Sequence, residues 1–149
     1  AVGRNRFMGD RISAPVDVLC VDDEPDGADL TAIRLERIDE RFSVETATSA
    51  RAGLAYIEEN TVDCVVSDYK MPDVDGLAFF ERVRENYPRL PFVLFTGRGS
   101  AAVADDARSR GVTDYLEKDA DDRYEVLADQ IRNAVAKRRR ETSPNGHGQ

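Results

Sequence analysis

Five short apolar runs, each closed by a polar or acidic cluster and followed by a stretch of helical period, constrain this chain most. Val16-Asp17-Val18-Leu19-Cys20-Val21 stops at Asp22-Asp23-Glu24-Pro25. Phe42-Ser43-Val44-Glu45-Thr46 alternates apolar and polar residues, as an edge strand does. Cys64-Val65-Val66-Ser67 is continuous, which fits a central strand, and it ends at Asp68. Phe92 to Phe95 is another buried strand, ending at Thr96-Gly97-Arg98-Gly99-Ser100, and Val112 to Leu116 ends before Lys118. Strands that alternate with helices pair in parallel through right-handed crossovers. The expected fold is an α/β, doubly wound (βα)5 sandwich on a five-stranded parallel sheet.

The helices are read from caps and period. Pro25 and Asp26 suit a helix start, followed by Leu30, Ile33, Leu35 and Ile38 in a loose period that Arg34 interrupts. Thr48 or Ser49 can cap a helix whose face is Ala50, Gly53, Leu54 and Ile57. Tyr69 to Gly76 is a loop, and Leu77, Phe80 and Val83 carry a helix to about Asn86. Val103 and Ala107 mark a weaker helix that closes at Gly111, and Tyr124, Leu127, Ile131 and Val135 trace the last one. Residues 1–14 and 141–149 read as tails around one domain at 15–140. Nine residues after Arg140 are too few for a helix-turn-helix unit, so no DNA-binding domain is expected in this chain.

Charge and rare residue types narrow the chemistry. The only histidine is His147, and two cysteines cannot build a disulfide scaffold. Zinc sites on His and Cys and Ser-His-Asp triads are thereby close to excluded. Residues 15–136 hold 27 acidic and 14 basic side chains, a net of −13 within a chain of net −8. An acidic body argues against a nucleic-acid groove across the domain. The basic run Lys137 to Arg140 fits the dipole at a helix C-terminus. Arginine outnumbers lysine 18 to 3, and this acid-rich, Lys-poor usage resembles that of proteins from salt-loving organisms. No run approaches the ~20 apolar residues of a membrane span, and the first residues are not expected to form a signal peptide. The expectation is a cytoplasmic protein in which Cys20 and Cys64 are buried free thiols.

Strand ends gather the distinctive side chains: Asp22 and Asp23, Asp68, Thr96, and Lys118. In an open parallel sheet, ligands bind outside the strand C-termini where strand order reverses. Carboxylates ~5 Å apart at an effective dielectric of ~20 repel by roughly 3 kcal/mol per pair. Three of them in one place therefore call for a cation. An all-oxygen donor set without His or Cys favours a hard ion, Mg2+ above others.

Together, Val21-Asp22-Asp23-Glu24-Pro25, Ser67-Asp68-Tyr69-Lys70-Met71-Pro72-Asp73-Val74-Asp75-Gly76, Phe95-Thr96-Gly97 and Asp114-Tyr115-Leu116-Glu117-Lys118 resemble the receiver domain of two-component response regulators. The spacings from Asp23 to Asp68, Asp68 to Thr96 and Thr96 to Lys118 are 45, 28 and 22 residues, in keeping with that family. Ala28-Asp29-Leu30-Thr31-Ala32, Phe42-Ser43-Val44-Glu45-Thr46-Ala47 and Gly111-Val112-Thr113-Asp114-Tyr115-Leu116 look like haloarchaeal receivers in particular.

The resemblance implies a flavodoxin-like strand order 2-1-3-4-5. It implies that Asp68 accepts a phosphoryl group from a sensor histidine kinase. Asp22, Asp23, Asp68 and the main-chain carbonyl of Lys70 would hold Mg2+. Thr96, Gly97 and Lys118 would bind the phosphoryl group. Thr96 and Tyr115 would switch the partner-binding face made by the fourth helix, fifth strand and fifth helix.

The sequence also departs from the family. Lys118 is followed by Asp119 where proline is common, and Lys70 and Arg98 stand two residues beyond Asp68 and Thr96. Two cations there are expected to slow self-hydrolysis. Two other readings stay open, an aspartyl-nucleophile phosphohydrolase using Mg2+ and a binding module that works without phosphorylation. The first wants a second Asp at position 70, where this chain has lysine.

Overall fold

The computed structural model describes residues 14–97, 99–119 and 122–142. Five parallel strands, β1 (Val16–Val21), β2 (Phe42–Ala47), β3 (Cys64–Ser67), β4 (Phe92–Thr96) and β5 (Asp114–Glu117), lie in the order β2-β1-β3-β4-β5. Helices α1 (Pro25–Ile38), α2 (Ala50–Glu59), α3 (Gly76–Asn86), α4 (Ala101–Arg110) and α5 (Arg123–Thr142) alternate with them. The expected doubly wound sandwich and its strand order are both present.

Alternation along each strand divides the core into two layers. Leu19, Val21, Val65, Phe92 and Leu94 pack with residues of α2, α3 and α4, including Ile57, Phe79, Phe80 and Ala107. Val18, Val66, Val93 and Phe95 face the other way, against Leu35 of α1 and Leu127, Ile131 and Val135 of α5. Phe92 meets Phe79 and Phe80 edge-on, with ring centroids 5.5 and 5.2 Å apart. Such pairs add to the burial of the rings themselves.

Local signals account for most helix boundaries. Pro25 opens α1, and the hydroxyl of Ser49 accepts the Ala52 N–H at 3.0 Å to cap α2. Asp75 caps α3 through the Ala78 N–H, and Gly111 ends α4 with φ of 94°.

Two details correct the sequence reading. In α1 the buried line is Ala28, Thr31 and Leu35, while Leu30 and Ile33 are 44% and 48% exposed. Arg34 does not interrupt an apolar face. Its guanidinium lies 5.0 Å from the Tyr124 ring centroid and covers that ring. The fifth strand begins at Asp114 rather than Val112, which is buried just before it.

Cys20 and Cys64 are buried free thiols, as expected. In the β1–β3 register Cys20 faces Val66 and Cys64 faces Val18, so they are staggered along the sheet. Burial pushes the Cys20 thiol up to about 12, with Asp22 adding to the effect, so it stays protonated at neutral pH.

The end of the sheet remote from the acids is tied by charge. Asp63 accepts the Asp17 N–H at 2.8 Å and pairs with Arg139 at 3.4 Å. Arg139 also donates to the Pro15 carbonyl at 2.8 Å. This member of the basic run therefore anchors α5 to the start of β1.

Between α1 and α5, Asp39 receives Arg41 and Arg132 at 3.0 and 3.2 Å, and Asp129 also pairs with Arg132. The Arg41 hydrogen bond holds the Asp39 carboxyl down at about 2. A carboxyl depressed in the folded state stabilises above its unfolded value near 4 and loses that contribution as pH falls. Asp39→Asn is expected to lower the unfolding free energy by about 1–2 kcal/mol at pH 7, allowing for solvent screening. Urea denaturation of both forms should show the gap closing as pH drops from about 4 toward about 2.

Candidate acidic site at the strand ends

The sheet ladder itself aligns the acids. Asp22 N–H donates to the Ala47 carbonyl at 3.0 Å, Asp68 N–H to Val21 at 2.9 Å, and Lys118 N–H to Thr96 at 3.0 Å. Each residue sits one step past its strand, still held by its neighbour. The topology reverses between β1 and β3, so Asp22 and Asp23 meet Asp68 at the crevice where ligands bind in such sheets. Carboxylate oxygens from all three lie within 4.8 Å of one another.

Asp22 is 4% exposed and Asp23 and Asp68 are half-buried. One Asp22 oxygen accepts the Glu24 N–H at 3.0 Å, and one Asp68 oxygen accepts the Tyr69 N–H at 2.7 Å. The other oxygen of each receives the Lys118 ammonium, at 3.0 Å for Asp22 and 3.3 Å for Asp68. A cation of the protein thus bridges two of the three carboxylates. Part of the positive charge that the three acids call for is thus supplied by a side chain. Burial by itself would push the Lys118 ammonium down, but Asp68 and Asp22 together outweigh it and hold it above the usual lysine value.

The remaining expected residues surround this cluster. Thr96 is fully buried at the end of β4. Among the described residues, a methyl group on Gly97 would touch only the Lys118 stem, at 3.9 Å. Lys70 is exposed. Arg98 lies outside the described residues.

Tyr115 is half-buried against the α2–α4 layer, with its hydroxyl 3.3 Å from a Glu117 oxygen. That hydroxyl fills the place of a side chain at Gly99, where a Cβ would fall 1.6 Å from it. Glu117 shares a face of β5 with Tyr115, two residues apart, whereas Gly99 was not identifiable as a neighbour from the sequence because the loop after β4 decides that contact.

The loop after Asp68 is tightly turned. Asp73 has φ of 68°, and the Val74 N–H donates to the Pro72 carbonyl at 2.7 Å, closing a three-residue turn around it. Gly76 brings α3 against this loop. Its N–H reaches the Tyr69 carbonyl at 2.8 Å, and a Cβ on it would lie 2.3 Å from the Asp68 carbonyl oxygen. The glycine after Asp75 is therefore a condition for Asp68 to sit where it does.

Residues 18–131 match the response regulator receiver domain family. The chain belongs to that family. Among similar proteins, transcriptional regulatory protein GlrR of Escherichia coli is 34% identical over 123 residues, which cover 81% of this chain and 27% of GlrR. The receiver domain thus spans about a quarter of that relative. An uncharacterized 14.6 kDa protein of Leptolyngbya boryana is 37% identical over 111 residues, 72% of this chain and 82% of that one. A CheY-like receiver domain structure from Methanospirillum hungatei superposes with a TM-score of 0.76 at 27% identity, covering 85% of this chain and 98% of that one. Among the described residues, no helix of this receiver domain is long and apolar enough to cross a membrane.

Proposed function

We propose that this receiver domain takes a phosphoryl group onto Asp68 from the phosphohistidine of a sensor histidine kinase. The observation that carries the reading is the meeting of three carboxylates within 4.8 Å, two of them bridged by Lys118. In the transfer, an Asp68 oxygen forms the new bond to phosphorus. The bond to the donor nitrogen breaks, and its electron pair stays on the imidazole. An ionised carboxylate needs no proton removed, so the requirement is neutralisation of charge and alignment. Lys118 supplies one charge and moves with the carboxylate oxygen to the phosphoryl group. The Thr96 hydroxyl donates to another phosphoryl oxygen, and Gly97 leaves its approach open.

The donor set suits Mg2+, being made of carboxylate oxygens with no sulfur or imidazole. Asp22, Asp23, Asp68 and the main-chain carbonyl of Lys70 are the residues that would hold it. Bound there, the ion offsets charge on the transferring group.

The phosphorylated form gains about −1.5 to −2 charges and three acceptor oxygens. We assign the response to Thr96 and Tyr115 and its output to the face of α4, β5 and α5, which a protein partner would read. The domain comprises residues 15–140 and acts in the cytoplasm without turning over a separate substrate. Its acid-rich, Lys-poor surface is of haloarchaeal type, suited to ~1 M salt, where the Debye length is only ~3 Å. A phosphohydrolase is disfavoured because Lys70 stands where that chemistry needs a second Asp.

Intact-mass analysis after acetyl phosphate and Mg2+ tests the assignment. The parent is expected to gain one phosphoryl group and Asp68→Ala none. An unlabelled parent would point to a phosphorylation-independent module, and release of phosphate from small esters to the hydrolase. The same adduct followed in time reports self-hydrolysis, which Lys70→Ala and Arg98→Ala are expected to speed.

A further inference from the structure

Gly27 occupies the third position of α1, and glycine is a poorer helix former than alanine. Its backbone is ordinary, since Gly111 is the one glycine with positive φ among the described residues. What the position excludes is a side chain. A Cβ there would lie 2.8 Å from Asp22 Oδ2 and 3.5 Å from its Cγ. The same Oδ2 receives the Lys118 ammonium at 3.0 Å, and Oδ1 accepts the Glu24 N–H at 3.0 Å. Asp22 N–H is fixed in turn to the Ala47 carbonyl at 3.0 Å. The carboxylate is 4% exposed and short, so a methyl pressed against it from α1 leaves little freedom to rotate aside.

We infer that Gly27 is a positioning residue of the acidic site: the space left by its missing side chain sets where Asp22 Oδ2 stands. Through that oxygen it governs both the share of Lys118 held by Asp22 and the hold of the three carboxylates on a divalent ion. The inference rests on the reading that Asp22, Asp23 and Asp68 bind Mg2+. An alanine at 27 improves the helix and worsens the site, a combination that a purely structural glycine would not produce.

Calorimetric titration of the chain with Mg2+ separates the possibilities. Gly27→Ala is expected to weaken Mg2+ binding roughly 10-fold, the size of effect seen when support for a metal ligand is removed. Gly27→Ser adds the same Cβ and should do likewise. In an Asp22→Ala background, adding Gly27→Ala should change the affinity by less than about twofold, because the group it presses on is gone. Parent-like affinity in both single variants overturns the inference while leaving the Mg2+ reading intact. An equal loss with and without the Asp22 carboxylate also overturns it, since the effect would then run through the helix. A parent that binds no Mg2+ overturns both.

Discussion

Lys118→Met is expected to destabilise the domain by about 3 kcal/mol in the absence of divalent ions. Asp22 and Asp68 are mostly shielded from water, with side chains 5% and 13% exposed, and would be left facing each other without their shared cation. Breaking a buried ion pair by removing one partner typically costs about 3–5 kcal/mol, and the partial exposure of Asp68 favours the low end. Mg2+ in millimolar excess should restore much of the loss, because it replaces the missing charge. Guanidinium denaturation with and without Mg2+ measures both quantities. The pH dependence has a definite sign. A lysine raised above its unfolded value near 10.4 contributes fully below that pH and loses its contribution only as pH climbs past the folded value. The gap between parent and variant should therefore be flat across neutral pH, and on the alkaline side it should close only in strong alkali. Phosphoryl incorporation should fall by about 100-fold or more, as when a preorganised donor to developing negative charge is deleted. A variant as stable and as readily labelled as the parent would refute the bridging role.

Gly76→Ala is the second large effect. The added carbon would lie 2.3 Å from the Asp68 carbonyl oxygen and 2.9 Å from the Tyr69 Cα, both backbone, and 2.8 Å from a methyl of Leu94. Flexible side chains can yield to such a contact, but backbone held by the β1–β3 ladder cannot. The turn after β3 must open, at a cost of about 3 kcal/mol, the upper part of the range for overpacking. Asp68 moves with it, so Mg2+ affinity should drop by about 10-fold or more. Thermal melts in Mg2+ and in chelator test both halves. The stabilisation that Mg2+ gives the parent should be nearly absent in the variant.

Much of the fold was legible because the inner strands β3 and β4 are short runs rich in valine and phenylalanine with no charged residue, as in Cys64-Val65-Val66-Ser67 and Phe92-Val93-Leu94-Phe95. Strand ends were visible as well, since Asp22 and Asp68 are abrupt after Val16 to Val21 and Cys64 to Ser67. The face of α1 was misread for a physical reason. Where a helix lies close on a sheet, small residues such as Ala28 and Thr31 go inside, and hydropathy overlooks them in favour of Leu30 and Ile33. The small buried residues of α4, Ala104 and Ala107, made that helix faint for the same cause.

In the site, periodicity could place the acids at one end of the sheet but not say which oxygen meets which donor. The double engagement of Lys118 joins residues 96 and 50 positions apart. It depends on the β4–β5 pairing and on a rotamer, neither of which is written locally. Gly27 was silent for a similar reason, as its importance lies in the side chain it stands against.

Arg139 clasps the Pro15 carbonyl and the Asp63 carboxylate, and Asp63 also secures the second residue of β1. The last turns of α5 are thereby tied to the opening of β1, an inner strand whose opposite end leads into Asp22 and Asp23.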